Sequence, residues 1–144
     1  MNRKQMQLNV CKALLDGNTR CRGHRINDNE YAVTTDGFTA YVFDIQECIF
    51  DVSRITDLPY LTEIFKDDEK DVEIKKSNDL FEWNGKVLEK YTAENTEIYV
   101  DSKLSKQFAG FYFFTNSSNT RILVKDSFGR KMGLFLPVRY PLKK

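Results

Sequence analysis

The single histidine, His24, lies three positions after Cys21, and this pair is the first candidate for metal chemistry. Structural zinc sites need four Cys or His ligands. The pattern places Cys21 and His24 in one strand, where residues three apart point to opposite faces of the sheet. The remaining cysteines, Cys11 and Cys48, supply no second Cys/His pair. We therefore predict structural roles for Cys21 and His24, and neither a bound metal nor a cofactor.

Other catalytic patterns are also missing from the sequence. Asp67, Asp68, Glu69 and Asp71 could hold a divalent cation through oxygen ligands, but they lack the spacing and the turn glycine of a calcium loop. The seven glycines are scattered rather than clustered as in a phosphate-binding loop. No nucleophile lies in a Gly-x-Ser-x-Gly turn. We therefore expect a binding protein and not an enzyme.

Aromatic residues near basic ones suggest a second kind of chemistry, the stacking of nucleobases. Phe111, Tyr112, Phe113 and Phe114 are consecutive, and arginines and lysines follow them. In a strand, about half of such a run must face the core. Burial in the core is therefore the favoured interpretation of this run.

These side chains must be positioned by helices and strands that the sequence also predicts. Residues 3–15 form a predicted helix with Met6, Val10, Ala13 and Leu14 on one face. Gly17 can end this helix in the left-handed conformation. A second helical region is predicted over residues 53–66, with Pro59 in its first turn and Asp57 as its cap. Asp101 caps a short third helix, which Gly110 ends.

Turn signals predict hairpins between the strands. Asp36-Gly37 and Asn84-Gly85 are both typical of two-residue type I′ turns. The first turn would place Val33 opposite Ala40 and Tyr31 opposite Val42. Three closing strands follow residue 110, and Pro137 ends the last one. The sequence therefore predicts an α+β fold in one domain, residues 1–144, with a mostly antiparallel sheet backed by two or three helices.

Charge is unevenly distributed along the chain. Residues 1–25 carry six basic and one acidic group, residues 26–100 carry seven and eighteen, and residues 101–144 carry nine and two. Two basic ends thus flank an acidic middle, which fits either a face for nucleic acid or acidic protein, or ordinary solvated surface. No segment approaches the ~18 apolar residues of a membrane span. With three cysteines at no framework spacing, we expect a cytoplasmic protein without a membrane contact.

Three segments resemble the last domain of the bacterial DNA polymerase III sliding clamp, the beta subunit. Residues 98–104 (IYVDSKL) resemble the strand that leads into the second helix of that domain. Residues 121–126 (RILVKD) resemble its penultimate strand, and residues 134–139 (LFLPVR) are similar to its closing Pro-x-Arg signature. The resemblance implies a single clamp-like domain in which helices back a curved antiparallel sheet.

The resemblance also implies site residues. Clamp helices line a ring around DNA and contact its phosphates. The matching positions are Arg3, Lys4, Lys12, Lys103 and Lys106. The closing segment of a clamp helps line a groove for partner peptides, and Leu136, Pro137, Val138 and Arg139 match it. A clamp subunit has two or three such domains, so one domain would form a ring only as a homo-oligomer of six copies, or would not form a ring.

Two functional hypotheses follow. The first is a clamp-like, non-enzymatic binding domain that contacts duplex DNA or a protein of DNA replication and processing. The second is a small inhibitor or adaptor, encoded by a phage or another mobile element, that docks its acidic middle on a nucleic-acid enzyme. Exposed lysines and arginines on one face would favour the first hypothesis. A dominant patch of Asp57, Glu63, Asp67 and Asp68 would favour the second.

Overall fold

The computed structural model describes residues 3–94, 96–116 and 120–138. Within these ranges the chain forms three α-helices and ten strands. The helices are α1 (Arg3–Leu15), α2 (Tyr60–Ile64) and α3 (Ser102–Gln107). The strands are β1 (Arg22–Arg25), β2 (Glu30–Thr34), β3 (Thr39–Asp44), β4 (Thr56–Asp57), β5 (Val72–Trp83), β6 (Lys86–Ala93), β7 (Thr96–Asp101), β8 (Tyr112–Thr115), β9 (Ile122–Lys125) and β10 (Lys131–Phe135).

One continuous sheet contains all of these strands, in the order β4-β1-β2-β3-β10-β9-β8-β5-β6-β7. Neighbouring strands are antiparallel except β1 and β4, which are parallel. The long strand β5 pairs with β8 through residues 72–74 and with β6 from Lys75 onward, so it joins two parts of the sheet. The predicted α+β class and the mostly antiparallel sheet are confirmed.

The two faces of the sheet carry separate apolar clusters. In β3, Tyr41 and Phe43 point into the larger cluster, whereas Ala40 and Val42 point into the smaller one. The larger cluster includes residues of α1 and the end of α3, and the smaller one includes residues of α2. Helices α1 and α3 therefore cover one face of the sheet, and α2 covers the other.

The first hairpin differs from its prediction by one residue. Val33 pairs with Tyr41 and not with Ala40, and the connection has four residues, 35–38. Only Gly37 of the Asp36-Gly37 pair has a positive φ, 83°, so the turn is not type I′. The Asp36 carboxylate instead accepts hydrogen bonds from the backbone N–H groups of Phe38 and Thr39, which holds a longer loop. The predicted register was wrong because these side-chain hydrogen bonds stabilise a four-residue loop, whereas the prediction assumed a two-residue turn.

The second hairpin agrees with its prediction. Asn84 and Gly85 both have positive φ, 51° and 75°, and Trp83 pairs with Lys86. The predicted helix over residues 53–66 was too long, because only α2 and a short 3₁₀ turn (Val52–Arg54) are helical. Asp57 does not cap α2, since it belongs to β4 and its carboxylate contacts His24.

Candidate nucleic-acid interface

Helix α1 has the predicted bounds, and its end follows from Gly17. The Asn18 N–H donates to the Ala13 carbonyl (2.9 Å) and the Gly17 N–H to the Leu14 carbonyl (3.3 Å), with Gly17 at φ 66°. This is the Schellman arrangement, in which a left-handed glycine lets the last carbonyls find donors. Val10 and Ala13 are buried against the sheet, so the opposite side of α1 faces solvent.

The first residue of α1, Arg3, is held against the sheet. One guanidinium nitrogen, Nη2, donates to the Val42 carbonyl (3.1 Å) and lies 3.7 Å from Glu47 Oε2. The guanidinium carbon lies 5.1 Å from the centre of the Phe43 ring. These contacts anchor the start of α1. The Arg3 guanidinium, which the clamp resemblance assigns to DNA, is therefore already bonded within the chain.

A second anchor, Gln7, was missed by the sequence analysis. Gln7 is buried, its amide nitrogen donates to the Glu47 carbonyl (2.9 Å), and its oxygen accepts from the Ile49 N–H (2.6 Å). The helical pattern around it shows only a polar residue near the apolar face. Its partners lie 40 and 42 residues away, so no local signal could have found them.

Helix α3 begins where the Asp101 carboxylate accepts from the Lys103 N–H at 3.0 Å, as predicted. Ser102 and Ser105 are buried, and the fully buried ring of Phe108 follows the last helical residue. Gln107 accepts a hydrogen bond from the Tyr41 hydroxyl of β3. Burial raises the pKa of Tyr41 to about 12, so this hydroxyl stays protonated and remains a donor.

The predicted lysines of the two helices are all exposed. Lys4 and Lys12 lie on α1, and Lys103 and Lys106 lie on α3. None of the four forms an ion pair with another residue of the described ranges. Helices α1 and α3, which carry these four charges, cover the same face of the sheet. Together they can act as point charges for phosphate groups.

Several carboxylates of the acidic middle contact basic groups of the same chain. Asp67 Oδ1 lies 3.0 Å from Lys125 Nζ and its Oδ2 lies 3.6 Å from Lys131 Nζ. Partial burial raises the pKa of Asp67, but these two lysines outweigh it, so the net pKa is lowered. Asp71, whose side chain is 9% exposed, pairs with the buried Arg121 at 3.0 Å. These carboxylates are therefore partly neutralised within the chain.

His24 and Cys21 do not form a common site. The His24 ring nitrogen Nδ1 lies 2.6 Å from Asp57 Oδ1, which ties β1 to β4. Cys21 is buried, and burial raises the pKa of its thiol, so it stays neutral at physiological pH. Among the residues that the structure describes, no three His, Cys, Asp or Glu side chains are grouped as metal ligands.

The segment that resembles the clamp's closing signature follows β10. Leu136 and Pro137 are half-buried, and the Leu136 N–H donates to the carbonyl of the exposed Phe38 (3.1 Å). The Val138 N–H donates to the Tyr99 carbonyl (2.8 Å), which links the segment to β7. Arg139 lies outside the described residues. Leu136 and Pro137 thus keep part of their apolar surface exposed.

Comparison of the chain with protein-family profiles, with curated proteins and with solved structures finds no match. In the described part of the chain, no helix combines the length and the apolar character that crossing a bilayer needs.

Proposed function

We propose that this chain is a non-enzymatic binding domain that contacts the phosphate backbone of duplex DNA through Lys4, Lys12, Lys103 and Lys106. The observation that carries the proposal is that α1 and α3 cover one face of the sheet and present these four exposed lysines, which form no ion pair with another described residue. Arg3 contributes indirectly, because its guanidinium anchors the start of α1.

Binding of this kind is electrostatic and independent of base sequence. Lysine ammonium groups act as point charges, and each phosphate that they neutralise releases counterions from the duplex. Affinity must therefore fall as the salt concentration rises. The exposed cations of the two helices are lysines, which act as point charges, so phosphate contact is the mode that the geometry favours.

The proposal includes the sliding-clamp-like role in DNA replication or processing. One domain could surround a duplex only as a homo-oligomer. The half-buried Leu136 and Pro137, next to the exposed Phe38, would then be available to a protein partner. Light scattering with and without a duplex measures whether such an assembly forms.

The test compares two double variants with the same change in charge. Lys12→Ala/Lys103→Ala removes one cation from each helix. Lys70→Ala/Lys86→Ala removes two exposed lysines that lie on neither helix. We expect the first variant to lose most of its duplex affinity and the second to keep it. Equal losses would refute the assignment of the face, and binding to a protein but not to DNA would favour the inhibitor or adaptor hypothesis.

A further inference from the structure

The exposed side of α1 carries a stripe in which lysines alternate with leucines. Its members are spaced by four, four and three residues, so they lie along one side of the helix: Lys4, Leu8, Lys12 and Leu15. All four are exposed, Leu8 by 45% and Leu15 by 79%, whereas the opposite side of α1 packs against the sheet. Two exposed leucines between cations form a surface that a partner with apolar and acidic groups would cover.

Helix α2 presents the matching chemistry. Tyr60 and Glu63 are three residues apart and share one side of the helix, where they are 63% and 62% exposed. Leu61, on the side toward the sheet, is buried. The Glu63 carboxylate lies 3.3 Å from Lys66 in an exposed pair, which is a weak contact that another cation can replace. The exposed side of α2 therefore offers an aromatic ring and a carboxylate.

An open cleft of about 450 Å³ extends this acidic surface beside α2. The ionisable groups that line it are four carboxylates and two cations: Glu63, Asp67, Asp68, Glu69, Lys66 and Arg121. Asp67 is already bonded to Lys125 and Lys131, so the exposed Glu63 and Glu69 are the carboxylates most open to a new cation. The excess of carboxylates in the lining favours the entry of a lysine ammonium.

We propose that α1 of one copy of this chain docks on α2 of a second copy. Leu8 and Leu15 pack around the Tyr60 ring, and Lys12 pairs with Glu63. A second copy is the partner because the chain itself carries both halves of the contact, matched in apolar surface and opposite in charge.

The position of the two helices determines the kind of assembly. Helices α1 and α2 cover opposite faces of the sheet, so the contact joins two different surfaces and leaves one of each free for a further copy. Such head-to-tail contacts produce open chains or closed rings, whereas a symmetric dimer needs the same surface on both copies. The average mass should therefore continue to rise with protein concentration.

The contact is small, because α2 has only five residues. It buries less than the about 1,200–2,000 Å² of a stable interface, so we expect weak association that is evident at high protein concentration. Lys4 and Lys12 are also assigned to duplex DNA above, so a duplex and a second copy compete for α1. The contact between copies depends on its own residues and does not require that DNA binds.

The test is sedimentation velocity over a series of protein concentrations at low and moderate salt. We expect association at low salt that weakens as salt rises. Lys12→Glu and Glu63→Lys should each weaken it about tenfold or more, because like charges then face each other. An equimolar mixture of the two variants should restore association, since the changed residues again meet with opposite charges. Lys86→Glu makes the same charge change at an exposed residue of the second hairpin and should have little effect.

Three results would overturn the proposal: a monomer at every concentration in low salt, a mixture that associates no better than either variant, or equal losses in Lys86→Glu and Lys12→Glu. Circular dichroism checks that each variant is folded. Duplex binding by a protein that stays monomeric would overturn the contact between copies alone. Self-association without any duplex binding would overturn the proposed function alone.

Discussion

The ring of Phe108, just after α3, lies directly against the backbone of Gly133 in β10. A β-carbon at position 133 would lie 2.5 Å from Phe108 Cε1 and 2.8 Å from the Ala40 carbonyl oxygen. The Phe108 ring also stacks on Phe135, with centroids 5.9 Å apart and an angle of 13° between the planes. Because Gly133 has no side chain, the Phe108 ring that follows α3 can pack directly against β10.

Gly133→Ala should therefore destabilise the protein. Overpacking of a core costs about 1–3 kcal/mol, whereas Ala for Gly in an unstrained strand would stabilise by about 0.5–1 kcal/mol. Urea denaturation measures the change in the free energy of unfolding. A decrease would indicate overpacking, and an increase would indicate an unstrained strand with room for a β-carbon. In a Phe108→Leu background the penalty should shrink, because the clashing ring atoms are gone. A neutral or stabilising Gly133→Ala would contradict the contact.

The buried ion pair of Arg121 and Asp71 should matter more than any surface pair. Arg121 Nη2 lies 3.0 Å and 3.1 Å from the two carboxylate oxygens, and both side chains are under 10% exposed. Asp71→Ala leaves an uncompensated buried guanidinium, which costs about 3–5 kcal/mol. Glu63→Ala at the exposed Lys66 pair should cost less than about 1 kcal/mol. Similar urea midpoints for the two variants would contradict this ranking.

Arg3→Ala separates an anchoring role from a phosphate contact. The hydrogen bond to Val42 and the contact with the Phe43 ring would be lost. Because the side chain is 32% exposed, we expect a modest cost of about 1–2 kcal/mol in the free energy of unfolding. Duplex affinity, measured by fluorescence anisotropy on the folded variant, should fall less than in Lys12→Ala. A larger fall in affinity with unchanged stability would instead assign Arg3 to DNA.

The Asp126 carboxylate, in the turn between β9 and β10, should make the stability of the protein depend on pH. The Arg130 N–H lowers the pKa of this carboxyl below its ordinary 3.8. Desolvation opposes this shift, and the Phe128 N–H adds to the lowering of the pKa. A pKa lowered by folding stabilises the fold above the unfolded value, and that stabilisation is lost as pH falls below about 3.8 through the folded value.

Carboxyl NMR titration of Asp126 should therefore give a midpoint below 3.8. Asp126→Asn keeps an acceptor but removes the charge, so its stability deficit relative to the original protein should shrink at acidic pH. A midpoint at or above the ordinary aspartate value would contradict the role of the two N–H donors. A stability deficit of Asp126→Asn that does not change with pH would also contradict that role.

Local signals predicted much of the fold. The bounds of α1 follow from its apolar face and Gly17, and the second hairpin follows from Asn84-Gly85, because each signal acts within a few residues. The first hairpin failed where the Asp36 carboxylate bonds two backbone N–H groups, which shifts the register by one residue. Two turn sequences of the same type therefore gave different turns, and the Asp36 carboxylate bonds mark the first of them.

Long-range partners account for the rest. Asp57 looked like a helix cap, but its contact is His24, 33 positions earlier. Gln7 and Glu89 are buried polar residues whose partners lie elsewhere in the chain, and periodicity cannot show such pairs. The lysine positions of the candidate interface came from a family resemblance, and the exposure of Lys4, Lys12, Lys103 and Lys106 needed the tertiary structure.

The central claim is tested most directly by measuring the affinity for a short DNA duplex across a series of salt concentrations. Four lysine–phosphate contacts predict that log K falls against log salt with a slope of about −3 to −4. Lys12→Ala/Lys103→Ala should lower the magnitude of that slope by about 2, and Lys70→Ala/Lys86→Ala should leave it unchanged. No binding at low salt, or the same slope in all three proteins, would contradict a DNA-binding face on α1 and α3.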